Sequence, residues 1–197
     1  MKKATYILFV CLFVSTGLAY TYEVYTYGPS KNLIGNESIL FSDEGGMDSL
    51  YLTDSCIARV EGTSALEEFF GGIWLISLAG TGHLDFLGGE VHQLDMNSYA
   101  TATLKGGRID EIWTYQGTGY PYIDLYCRSW NYNTTTKMLT GIWNTDNNND
   151  GQWDPFSIEL VDVQDYTPTF DNINIIEIPE PMTILLLGFG SLLIRKK

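Results

Sequence analysis

The chain has 197 residues, 45% hydrophobic and 14% aromatic, with 18% charged side chains and a formal net charge of −13. Of its 24 acidic side chains 23 lie between residues 20 and 178, with six of the eleven basic ones, so that middle region carries −17. This argues against nucleic acid and anionic membrane as partners, since both are held by positive surface, whereas divalent cations are allowed.

At the front, Lys2-Lys3 precedes a mostly apolar run, Ala4 to Leu18, and Gly17-Leu18-Ala19 puts small residues where a signal peptidase needs them. The pattern predicts an apolar signal helix over residues 1–19, cut between Ala19 and Tyr20. A retained transmembrane helix is the alternative. The remaining stretch, 20–178, is long enough for one domain with its own core. It contains two cysteines, Cys56 and Cys127, which export would permit to pair; nothing in the sequence brings them together.

Residues 20–44 read as N-terminal capping strands. Tyr20 to Tyr27, YTYEVYTY, has strand composition and ends at Gly28-Pro29-Ser30. A further short strand is expected over Ser38 to Ser42.

Residues 45–124 repeat. Glycine pairs at Gly45-Gly46, Gly71-Gly72, Gly88-Gly89 and Gly106-Gly107 open units whose step is 17 or 18 residues, apart from one interruption at Ser64 to Phe70. Apolar residues keep register: Met47, Leu50 and Leu52 align with Ile73, Ile76 and Leu78, then Val91, Leu94 and Met96, then Ile109 and Ile112. In the second half of the unit, Ala58 and Val60 align with Leu84 and Phe86, then Ala102 and Leu104, then Tyr120 and Tyr122. Two short strands cannot bury an apolar face alone, but stacked units can, at about 4.8 Å per strand. The fold predicted is all-β: a short parallel β-solenoid of about four rungs with capping strands. A β-sandwich of antiparallel strands joined by glycine turns is the alternative. At the eighteen-residue offset Glu90 faces Arg108 and His92 faces Asp110, which suits cross-rung pairing.

Residues 125–178 form the expected C-terminal β cap, with strands at Tyr122 to Cys127, Met138 to Trp143, Phe156 to Val163 and Ile173 to Ile178. Residues 179–197 are different in kind. Pro179-Glu180-Pro181 is a stiff extended break; Met182 to Ile194 is an almost unbroken apolar run; Arg195-Lys196-Lys197 ends it. Thirteen apolar residues make a helix of roughly 20 Å, short of the roughly 30 Å of a bilayer core. This is a brief anchor with its basic end toward the cytoplasm.

Pro-Glu-Pro, an apolar run with Gly188 and Gly190, and a basic terminus resemble the PEP-CTERM sorting signal of exported bacterial proteins. Leu139 to Trp143, the Asp-Gly step and Pro155 to Leu160 more loosely resemble the end of repeat-bearing members of that group, although the asparagine-rich stretch Asp146 to Asp150 departs from it. The resemblance implies recognition by an exosortase, a membrane enzyme, with cleavage near Pro179, Glu180 and Pro181 and loss of the tail. It implies transient membrane anchoring and delivery to the cell surface or extracellular matrix.

Three sets of residues bear on chemistry. Asp146, Asn148, Asp150 and Asp154 place oxygen ligands around Gly151 in the manner of a calcium loop; Ser157 stands where an EF-hand would have Glu, and a bare turn is the alternative. Trp74 and Trp113 are placed outward by the register, where flat rings can stack on sugars; packing is the alternative for them and for Trp130, Trp143 and Trp153. The carboxylates Asp85, Asp95, Asp110, Glu111 and Asp124 are the candidates for polysaccharide cleavage, but the repeat aligns Asp95 with Ser77 and Trp113, and Asp110 with His92 and Trp74, rather than in one acidic column. No catalytic residue is assigned, and no cofactor beyond the calcium. The reading is a non-enzymatic surface or matrix protein with a structural or adhesive role, handled by signal peptidase and exosortase during export. A carbohydrate-binding module for surface polysaccharide is the alternative, and a polysaccharide-degrading enzyme the third reading.

Overall fold

A computed structural model describes residues 20–25, 27–42, 45–63, 72–146 and 152–178. The signal segment, the C-terminal sorting segment with both of their expected helices, and Asn148 and Asp150 lie outside the described residues. Those residues are all-β, with strands β1 (Tyr22–Val24), β2 (Tyr27–Gly28), β3 (Lys31–Leu33), β4 (Ser38–Phe41), β5 (Gly46–Leu52), β6 (Ile57–Val60), β7 (Ile73–Leu78), β8 (His83–Phe86), β9 (Glu90–Asn97), β10 (Thr101–Leu104), β11 (Arg108–Tyr115), β12 (Tyr122–Asn133), β13 (Met138–Trp143), β14 (Pro155–Val161) and β15 (Ile173–Glu177), and one 3-10 turn at Thr169–Asn172. No helix among them is long and apolar enough to cross a membrane.

Alternate strands along the chain fall into two ladders. The first runs β1-β4-β6-β8-β10-β12 and the second β2-β5-β7-β9-β11-β14, with β3 also on β5. Every pairing within them is parallel. Antiparallel pairing is confined, among the described residues, to β12–β13 and β13–β14, where the sheet passes from the end of one ladder into the end of the other. A sheet built on hairpins would have shown the reverse proportion.

The core is built from columns of equivalent residues. On the second ladder Met47 pairs with Ile73, Ile73 with Val91 and Val91 with Ile109; Leu50, Ile76, Leu94 and Ile112 form the next column, and Leu33, Leu52, Leu78 and Met96 the third. On the first, Ile39-Ala58-Leu84-Ala102 and Phe41-Val60-Phe86-Leu104 stack likewise. All are essentially buried. Here the expected register holds residue for residue.

It fails at the next step. Ala102 and Leu104 pair with Ile123 and Leu125, not with Tyr120 and Tyr122. The corner from Gln116 to Pro121 is longer than its predecessors, which carries Tyr120 and Tyr122 out to 69% and 47% exposure. The sequence predicts Tyr120 and Tyr122 as the inward set, and the longer corner displaces them.

The glycine pairs do what close stacking demands. The second member of three of the four has positive φ: Gly72 at 62°, Gly89 at 87° and Gly107 at 79°. A Cβ on Gly107 would stand 2.5 Å from the Gly89 carbonyl oxygen, closer than real atoms approach.

Each long strand of the second ladder also bends. Val91 and Leu94 are buried with two partly exposed residues, His92 and Gln93, between them, and β11 repeats this at Asp110 and Glu111. A straight strand alternates strictly, so the three-residue spacing marks a corner inside the strand. Two neighbouring side chains per strand are thereby left on the outside.

The end of the first ladder is closed by β12, which pairs in parallel with β10 and β15 through its first half and antiparallel with β13 through its second, with a register shift between Cys127 and Ser129. Trp143 fills the end of the core against Phe156, ring centroids 4.4 Å apart, and its indole N–H donates to the Gly107 carbonyl at 2.7 Å. The third column of the second ladder ends in a polar residue, Thr114. That hydroxyl is buried and satisfied: it donates to Thr169 Oγ1 at 3.1 Å and accepts from Asn172 Nδ2 at 2.9 Å, which ties the 3-10 turn to the stack.

Candidate ligand-facing surface

The outward side of the second ladder collects most of the candidate residues. At the strand bends, Trp74 is 55% exposed and lies over His92, ring centroids 4.2 Å apart. His92 Nδ1 is 3.1 Å from Asp110 Oδ2 one rung on. Arg108 donates from Nε to Asp110 Oδ1 at 2.8 Å and reaches Glu90 at 3.8 Å. The two cross-rung pairs expected from the eighteen-residue offset are therefore made.

Three residues along the strand from His92, Asp95 sits between Ser77 and Trp113. Its carboxylate accepts from Gln93 Nε2 at 2.7 Å. Burial pushes the Asp95 pKa up; the Gln93 hydrogen bond opposes this and the Glu111 charge adds to it. Trp113 donates from Nε1 to Glu111 at 2.9 Å and stacks on Tyr115 at 6.5 Å, and Tyr166 meets Tyr115 edge-on at 6.1 Å. The Tyr115 hydroxyl is likewise raised, by burial first and then by the Asp95 charge. The result is an aromatic row, Trp113, Tyr115 and Tyr166, edged by the carboxylates of Asp95 and Glu111, a surface that can stack sugar rings and hold their hydroxyls.

The other carboxylates do not join it. Asp85 and Asp124 lie on the first ladder, in one column with Thr103 between them, so the five acidic candidates divide between two faces. Sequence reading missed one cluster there: His83 Nδ1 is 2.7 Å from Thr101 Oγ1, and its Nε2 is 3.3 Å from Asp85. The same eighteen-residue offset that matched His92 with Asp110 also relates His83 to Thr101, so the signal was present.

Of the four candidate calcium ligands, Asp146 and Asp154 are described, and the Asp154 carbonyl accepts from Trp143 N at 2.9 Å. Among the described residues no group of three or more His, Cys, Asp or Glu side chains comes together as a metal site. Cys56 and Cys127 are both buried and unpaired with each other. Burial raises both thiols, Cys127 to about 11 with a smaller contribution from Glu177. Tyr20 begins the described chain, and Ile178 ends it, donating to the Cys127 carbonyl at 2.9 Å.

No family model matches this chain, and no curated protein or solved structure matches it.

Proposed function

We propose that the protein is an exported cell-surface or extracellular-matrix protein, built as a short capped parallel β-solenoid, with a structural or adhesive role and sorted through residues 179–197. The observation that carries the reading is the unbroken parallel register of two ladders, with equivalent residues stacked unit on unit. Such a stack gives a stiff body whose outer faces display repeated side chains. Pro179, Glu180, Pro181 and the basic Arg195, Lys196 and Lys197 supply the sorting address by resemblance. Deleting residues 179–197 should move the protein from the surface fraction of its native cells to another compartment, without lowering its thermal stability. Unchanged surface recovery would refute the sorting role.

A second reading is favoured by one specific observation, the exposed Trp74 ring over His92 beside Asp110 and Arg108. In it, this face binds a surface polysaccharide. Glycan-array binding that disappears in Trp74→Ala or Trp113→Ala supports it, and binding unaffected by both removes it.

A further inference from the structure

A cavity of about 250 Å³ opens on the side of the molecule away from the aromatic row, lined by Lys105, Tyr126, Asn144, Thr145 and Ile178. It lies where three segments converge: the corner after β10, the middle of β12, and the chain leaving β13. Thr145 fixes the first to the third, its hydroxyl donating to the Lys105 carbonyl at 2.6 Å. Ile178 is held to β12 by its bond to the Cys127 carbonyl. The walls are thus set by backbone contacts.

Lys105 is the chemical feature of this pocket. Arg59 pairs with Glu61 at 2.7 Å, Arg108 with Asp110 at 2.8 Å and Lys137 with Asp162 at 2.8 Å. The Lys105 ammonium, like that of Lys31 over Tyr22, lies against a ring, 5.1 Å from the centre of Tyr126, and makes no ion pair with any described residue. In a region carrying −17, an ammonium that lines a cavity beside an aromatic ring offers a positive charge to an anion. Tyr126 and Ile178 offer apolar wall, while Asn144 offers an amide donor and acceptor. One charge, one amide and an apolar wall match an amphipathic ring that bears one carboxylate and several hydroxyls. The volume lies below the roughly 300–1,000 Å³ of drug-sized sites and holds one such ring.

We propose that this pocket binds a uronic acid unit of an acidic polysaccharide, its carboxylate on Lys105 Nζ and its hydroxyls on Asn144. The net negative charge opposes long-range attraction of such a ligand, so retention depends on the direct ion pair inside the pocket. The proposal rests on the exported-surface reading only for where such a polymer is met.

Calorimetry with a trimer of galacturonic acid on the full chain tests it. The trimer should bind; Lys105→Met should weaken binding about tenfold or more, as expected for loss of a charge-assisted bond, with an unchanged urea midpoint. Asn144→Ala should weaken it while keeping the charge, and Trp74→Ala should leave it unchanged. Absence of binding overturns the proposal. So do equal binding of the carboxyl-reduced neutral trimer, equal binding of acetate alone, and loss in Trp74→Ala with retention in Lys105→Met. That last outcome assigns the ligand to the Trp74 surface instead.

Discussion

Replacing Gly107 and Gly35 by alanine separates two reasons for glycine in this chain. Both have left-handed φ, 79° and 74°. Around Gly35 a new Cβ finds nothing within 4 Å, whereas at Gly107 it meets the Gly89 carbonyl oxygen at 2.5 Å and Phe86 Cε1 at 2.8 Å. The left-handed conformation costs an alanine about 1–2 kcal/mol, partly offset by about 0.4–1 kcal/mol from the stiffer unfolded chain. Gly35→Ala should therefore lose about 1 kcal/mol or less. Gly107→Ala bears the same cost plus the displacement of packed backbone, for which overpacking values of about 1–3 kcal/mol apply. Urea unfolding of the two variants, compared at constant m, reads the difference directly. Equal losses would mean that the units do not approach as closely as the stacked ladders require, and the reasoning would fail.

Other outcomes follow from the same geometry. Asp95 has a folded pKa raised mainly by burial, so its contribution to stability is greatest below the unfolded carboxylate pKa and falls as pH rises toward the folded one; Asp95→Asn should raise the neutral-pH melting temperature, and a lowered one refutes the assignment. Cys56 and Cys127 are buried thiols, with Cys127 near 11; at pH 8 iodoacetamide should label neither until denaturant is added, and prompt labelling of the native protein contradicts their placement. From the sequence of residues 146–154 rather than from this geometry, millimolar calcium should raise the melting temperature, and Asp146→Ala or Asp150→Ala should abolish the rise; no shift in the natural chain ends the calcium reading.

The parts of this structure that can be read from sequence are those set by repetition. Once the unit is fixed, the position of Leu50 dictates those of Ile76, Leu94 and Ile112, because one slipped residue would turn a strand's whole apolar set outward. The outward location of Trp74 and the Glu90–Arg108 and His92–Asp110 pairs follow from the same step. What escapes is whatever depends on a corner of changed length or on pairing across long sequence separation. The Gln116–Pro121 corner shifts the next unit from Tyr120 and Tyr122 to Ile123 and Leu125. Strand β12 runs on to Asn133, past the Cys127 end that the sequence predicts, because β13 folds back along it. The Tyr-rich N-terminal stretch divides at Tyr25 into β1 and β2, one on each ladder, since the stack has two faces to begin and a single long strand would serve only one. The Lys105 pocket draws its walls from residues 105, 126, 144 and 178, and no local pattern announces such a meeting.

The intact mass of the mature protein from its native cells tests the central claim most directly. The account predicts a chain beginning at Tyr20 and ending near Pro179–Pro181, free or joined there to a further group. A mass corresponding to the whole chain from Met1 to Lys197 would contradict it.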